Sequence, residues 1–135
     1  MTQITDKPIS PELVVSQAKT PDSGCVATYV GLIRDNSRGK AVLSVEYSDP
    51  DGKAAAGLES IAQEIKRKYP VNKVVIHHRI GKLNVGDINL VVAVAAAHRT
   101  EALAAVAYAV DLFKDRLPTA KKETYLDGTI YEGHE

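Results

Sequence analysis

Tryptophan is absent from this chain of 135 residues, and cysteine, methionine and phenylalanine occur once each. The lone cysteine, Cys25, closes no internal disulfide and offers zinc no Cys cluster, which points to a reducing compartment. An excess of charge of one sign is also missing. The 17 Lys plus Arg balance 17 Asp plus Glu, so there is no broad basic footprint of the kind that neutralises nucleic-acid phosphates. The longest apolar run, Leu90 to Ala97, falls far short of the roughly 20 residues that span a bilayer. Met1 to Asp6 has neither the basic start nor the apolar core of an export signal. These absences predict a cytoplasmic protein without membrane or nucleic-acid partners.

Several chemistries lack their motifs. There is no GxxxxGK(S/T) phosphate loop, no GxSxG elbow, no HExxH and no CxxC. His77 and His78 are adjacent, so on a strand they point to opposite faces and make a poor metal clamp. The expectation is that one lies in the core and the other in solvent, with no metal site and no cofactor. Cys25, in Gly24-Cys25-Val26-Ala27, has no cation beside it in sequence and reads as a small hydrophobe of a strand.

What is present suits one domain spanning 1–135. At 44% hydrophobic, a domain of this length buries roughly two-thirds of its unfolded surface and needs no covalent staples. Ser10-Pro11-Glu12 starts a short helix ending near Lys19, with Ser10 as cap and Ile9 against Val14 as a hydrophobic staple. Cys25 to Ile33 reads as a buried strand, Asp35 to Lys40 as a polar loop, and Ala41 to Tyr47 as a strand with Leu43, Val45 and Tyr47 on one face. From Lys53 to Tyr69, Ala54, Leu58, Ile61, Ala62, Ile65 and Tyr69 recur at helical spacing. Lys66, Arg67 and Lys68 complement the dipole at that helix's end. Strands are expected at Lys73 to Ile80 and Asp87 to Ala97, with turns through Gly81 and Gly86, and their pairing is expected to be antiparallel. A last helix, Thr100 to Leu117, presents Leu103, Val106, Val110, Phe113 and Leu117 before Pro118 stops it. Asp127-Gly128 then marks a hairpin between short strands.

Small basic groups recur at Arg34/Arg38/Lys40, His77/His78/Arg79, His98/Arg99 and Lys114/Arg116/Lys121/Lys122. Where a fold gathers such groups on a neutral protein, it makes a discrete pocket for a small phosphorylated ligand. Lys114 projects about 60° from the centre of its helix's apolar stripe, at the edge of the buried face. Pro118-Thr119-Ala120 can return Lys121 and Lys122 towards it, and like charges brought close make a better amine nucleophile or base. The same lysines also serve as solvated charges complementing a helix end. His98-Arg99 stands where a helix N-terminus favours an anion, and equally reads as a polar strand end. Arg34, at the exit of the first strand, has a similar capacity.

The ordered set TYVGLIRD at Thr28 to Asp35, HHRIGKLNVGD at His77 to Asp87, AHRTEA at Ala97 to Ala102 and LFKDRLPTAKKE at Leu112 to Glu123 resembles the catalytic (large) subunit family of molybdopterin synthase. No one of these segments is specific alone; their order and spacing are. The resemblance implies an α+β, α/β hammerhead-like fold with a mixed, largely antiparallel sheet and packed helices. It implies a sulfurtransferase of molybdenum cofactor synthesis that converts cyclic pyranopterin monophosphate into the dithiolene molybdopterin. The sulfur would come from a small ubiquitin-like partner carrying a C-terminal Gly-Gly thiocarboxylate, two such carriers being used in succession. A homodimer with a small subunit at each end, a heterotetramer, is implied as well.

The family's two reactive lysines map onto Lys114 and Lys121, its His-Arg pair onto His98 and Arg99, and its first-strand arginine onto Arg34. The implied roles are substrate binding for Arg34, His98 and Arg99, catalysis for Lys114 and Lys121, and supporting charge from Lys122. The chain departs from the pattern at Ala120, where relatives commonly carry tryptophan, and at Tyr131, where the aromatic is often tryptophan. It also closes on Gly133-His134-Glu135, unlike the carrier's Gly-Gly end and without the further basic residues of many relatives. These departures keep a second expectation open, a non-catalytic paralogue that binds a carrier tail or a phosphorylated pterin without turnover. A general small-anion sensor using Arg34 and His98-Arg99 is the third.

Overall fold

The computed structural model describes residues 1–134. Helix α1 (Pro11–Ala18) starts as its sequence predicts. The Ser10 hydroxyl accepts from the Leu13 amide at 3.3 Å, and Ile9 and Val14 are buried in one cluster. In α2 (Ala54–Lys68) the cap comes from Asp49, whose carboxylate accepts from the Lys53 and Ala54 amides at 3.0 and 3.2 Å. Its apolar face, Ala54, Leu58, Ile61, Ala62 and Ile65, is buried as expected.

Helix α3 (Arg99–Arg116) differs from its expected packing. Val106, Phe113 and Leu117 are buried, but Leu103 is 59% exposed and Val110 is half-buried. The buried face is instead Ala102, Ala105, Val106, Ala109, Leu112 and Phe113. Alanines let the helix axis lie close on the sheet, a gain that a row of larger side chains would forfeit, so the face is set by fit as well as by hydrophobicity.

Strands β1 (Thr2–Thr5), β5 (Lys73–Arg79), β7 (Ile88–Ala96) and β2 (Cys25–Leu32) form one sheet in the order β1-β5-β7-β2. The β5–β7 and β7–β2 pairs are antiparallel, while β1, too short and polar to announce itself, runs parallel to β5. Helix α1 covers one face against Val75, Val91 and Ala93, and α2 and α3 cover the other against Val74, Ile76, Val92 and Val94. Burial on both faces is why β7 reads as a nearly continuous apolar run. It also overturns the expectation of one solvated histidine. His77 and His78 are 4% and 0% exposed, since each face of β5 is covered. His78 Nδ1 lies 2.8 Å from the Asn89 carbonyl oxygen, and its ring sits edge-on between Tyr47 and Phe113.

The second sheet is built on β4 (Lys40–Ser48), which pairs with β8 (Ala120–Tyr125), itself paired with β9 (Ile130–His134). The two-residue β3 (Asn36–Ser37) and β6 (Gly81–Asn84) also pair with β4. Both lie where the sequence reads as loop and turn. In β4 the register against β8 shifts between Val42 and Ser44. Leu43 is therefore turned outward, 51% exposed, while Val42, Val45 and Tyr47 are buried. The expected Leu43/Val45/Tyr47 face is corrected by one residue, as a bulge requires. The hairpin at Asp127-Gly128 forms as expected. Fold class and architecture agree with the α+β, hammerhead-like expectation.

Candidate active site

The turn after α3 determines what β8 brings to the site. Leu117 and Pro118 lie against Gly57 of α2, where an added Cβ would stand 3.2 Å from both. That close approach, open to glycine, sends the chain into β8 with Lys121 opposite Tyr47 and Glu123 opposite Val45. Lys121 and Glu123, two apart on a strand, share a face. Both border a cleft of about 160 Å³ that Arg34 reaches from the end of β2 and Lys114 from the last turn of α3. Lys114 is exposed rather than partly desolvated, whereas Lys121 is half-buried. Lys122 faces the other way, exposed, beside Glu46 and Lys82. The structure thus joins Arg34, Lys114 and Lys121 and leaves Lys122 outside.

A carboxylate stands among these cations. Glu123 is 4% exposed and accepts from Ser37 Oγ at 3.0 Å and from Tyr125 Oη at 3.1 Å. Burial first, and then the Glu123 carboxylate, push the Tyr125 phenol above its ordinary pKa. The β3–β4 hairpin is strapped across β8 and β9 by the Ser37–Glu123 bond. Further ties are the Arg38 guanidinium 3.4 Å from the Tyr131 ring centroid and Lys40 Nζ, 2.8 Å from Thr129 Oγ1 and 3.3 Å from Asp127. Tyr131 therefore packs at the strapped edge. Ala120 begins β8 half-buried, beside Ser48, Lys122 and Gly133.

Sequence reasoning passed over Glu123, Tyr47 and Asn89, which also border the cleft. Glu123 was legible as the strand neighbour of Lys121 at i+2. Asn89 was legible as the one polar residue of Ile88–Ala96.

His98 and Arg99 lie elsewhere. They border a second cleft at the N-terminus of α3, with Gly24, Cys25, Thr100 and Glu101. Fifteen residues of helix at 1.5 Å each put Arg99 about 22 Å from Lys114 along α3, so one chain does not offer both to one small molecule. Cys25, half-buried with its thiol 3.8 Å from the Ala96 carbonyl oxygen, does share this cleft with a cation, Arg99. That residue comes from the start of α3, which the sequence neighbours of Cys25 do not reveal. Among the described residues no group of three or more His, Cys, Asp or Glu is placed to hold a metal. Among the same residues no helix is long and apolar enough to cross a membrane.

A mixed α+β fold with an arginine, two lysines and a buried carboxylate around one small cleft is of a class whose charges suit an anion. Comparison makes the class specific. The family model described as MoaE protein matches residues 4–116. A molybdopterin synthase catalytic subunit from Nostoc sp. is 42% identical over 127 residues, covering 93% of this chain and 77% of the relative. The crystal structure of molybdopterin synthase from Staphylococcus aureus superposes with a TM-score of 0.90 at 30% identity, covering 98% of this chain and 96% of that one. A complex of subunits 1 and 2 of molybdopterin-converting factor from Helicobacter pylori shares the fold, at TM-score 0.75 and 14% identity, over 98% of this chain and 88% of that one. The chain belongs to the MoaE protein family.

Proposed function

We propose that the chain is the catalytic subunit of a molybdopterin synthase, acting in the cytoplasm to convert cyclic pyranopterin monophosphate into the dithiolene with sulfur from a thiocarboxylated carrier. The observation that carries this reading is the convergence of Lys114 and Lys121, from different elements, with Arg34 in one cleft. Two amines and a guanidinium are suited to neutralise a thiocarboxylate and the charge that develops as its sulfur is transferred. Lys114 and Lys121 position the thiocarboxylate and handle protons at the reacting carbons. Arg34 contributes to substrate binding. Lys122, turned away, adds charge to the neighbouring surface.

The cleft of about 160 Å³ is below the roughly 300 Å³ at which small-molecule sites begin. It fits the narrow end of a carrier tail, and the phosphorylated pterin needs further surface. Since His98 and Arg99 are too distant to help within one chain, their substrate-binding role calls for a second copy. In the homodimer that the reading includes, the His98-Arg99 pair of one copy meets the Arg34 cleft of the other. A small subunit bound at each cleft completes a heterotetramer, and the paired-subunit description of the Helicobacter protein supports that partner class.

The test is reconstitution with a thiocarboxylated carrier and cyclic pyranopterin monophosphate. Dithiolene product should form and should be largely lost with Lys114→Ala or Lys121→Ala. Mixing Lys121→Ala chains with Arg99→Ala chains should recover activity that neither has alone, because one site of each mixed dimer is intact. Carrier binding without product from the unmodified chain would replace this reading with the non-catalytic one, with Ala120 the first position to restore.

A further inference from the structure

The register of β7 against β2 contains an extra residue. Gly31 pairs with Leu90 and Leu32 with Ile88, which leaves Asn89 without a partner on β2. A bulge of this kind re-aims a side chain, and such bulges recur beside active sites. Here the re-aimed side chain is a carboxamide, in a strand otherwise written in Ile, Leu, Val and Ala, and it borders the Arg34–Lys114–Lys121 cleft.

Its orientation is held from three sides. Asn89 Nδ2 donates to Tyr47 Oη at 3.2 Å. Asn89 Oδ1 sits over Gly31, where an added Cβ would come within 2.7 Å of it. Its main-chain carbonyl oxygen lies 2.8 Å from Nδ1 of the fully buried His78, which is itself wedged between Tyr47 and Phe113. A half-buried amide fixed this way has a second N–H and an acceptor oxygen still available to a ligand.

We propose that Asn89 is a specificity-determining residue that reads the main chain of the carrier's tail, pairing its amide edge with a peptide N–H and C=O of an extended glycyl segment. This rests on the functional reading above and names what the cleft recognises besides charge. Arg34, Lys114 and Lys121 attract any small anion. The Asn89 edge rewards an anion attached to a peptide, and it is set beside the lysines that meet the tail's end. Glycines suit the segment because the cleft is small and its floor approaches the backbone at Gly31.

The experiment measures binding by calorimetry with two probes, a ubiquitin-like carrier ending in a Gly-Gly carboxylate and the same carrier lacking those two residues. Asn89→Leu, similar in size but unable to hydrogen-bond, should weaken the intact carrier about ten-fold, the worth of one to two hydrogen bonds. It should leave the shortened carrier's affinity and the KM for the pterin unchanged. Asn89→Ala, which adds no bulk over Gly31, should give the same split and guards against misfolding of the leucine variant. Equal weakening of both carriers would make Asn89 merely structural and overturn the proposal, as would no change with either. A raised pterin KM with intact carrier affinity would assign the amide edge to the pterin and likewise overturn it. An unmodified chain that binds neither carrier would remove the functional reading itself, an outcome distinct from these.

Discussion

The two sheets of this protein are held together by different means. The four-stranded sheet is covered on both faces, by α1 on one side and by α2 and α3 on the other, and its buried residues are almost all Val, Ile, Leu and Ala. The sheet built on β4 has a smaller cluster, Ile33, Val42, Val45, Tyr47, Leu83 and Tyr125, and is completed by polar ties through Ser37, Arg38, Lys40 and Glu123. The first gains from apolar area removed from water, which is insensitive to exact geometry. The second spends part of its surface on charged groups that must stay accessible. The cleft proposed for the chemistry lies where the two meet, at the end of β2, the end of α3 and the start of β8.

That contrast predicts separable failures. The largest effect expected is on activity. Lys121→Ala should reduce turnover on the order of 10²- to 10⁴-fold while the thermal midpoint stays within the scatter of surface substitutions. A parallel fall in midpoint would show that the cleft lysine also supports the fold. Next comes the covered sheet. Leu58→Ala, at a site with 0% exposure, should cost about 2–5 kcal/mol in denaturant unfolding and leave the KM of the surviving folded fraction unchanged.

Glu123→Gln probes the boundary between the two regimes. Ser37 and Tyr125 both donate to Glu123 Oε1, so the amide oxygen of Gln keeps both bonds but without the charge that strengthens them. The expected loss is about 1–3 kcal/mol, together with weaker carrier binding as the strapped hairpin loosens. Normal binding beside the lost stability would separate the strap from the cleft.

The smallest effects are in the covered sheet's accessories. Burial, and secondarily the positive N-terminus, hold the His77 pKa below its ordinary value. Below the unfolded pKa of about 6.5 the unfolded chain takes up a proton that the folded chain resists. Stability should therefore fall as pH drops through that value towards the lowered folded one. His77→Leu should flatten this part of the profile, and an unchanged slope would exclude His77 as its source. Ser10→Ala should cost about 1 kcal/mol with turnover unaffected, both readable in one unfolding and assay series.

The elements legible in the sequence were those whose signals are local. Ser10-Pro11 marked α1, Ala54 to Ile65 marked α2, and Asp127-Gly128 marked the last hairpin. The failures have a common cause. Strands β1, β3 and β6 are two to four residues long and exist because a neighbouring strand offers hydrogen bonds, which nothing in their own composition reports. The Leu43 bulge shifted the face of β4, and the buried face of α3 took in Ala102, Ala105 and Ala109 while Leu103 turned outward.

The site divides along the same line. Arg34, Lys114 and Lys121 were identified from ordered motifs, and their cationic chemistry is intrinsic to residues that carry charge wherever they stand. Their meeting depended on Leu117 and Pro118 resting against Gly57, and the separation of His98 and Arg99 depended on the length of α3. By itself, then, the sequence determined the helices, the apolar strands, the family and the charged groups available for chemistry, since each follows from local periodicity or ordered motif. The tertiary structure decided which of those groups share a cleft, that Glu123 stands among them, and that Asn89 turns towards it, because these are consequences of register, bulges and close packing between segments distant in sequence.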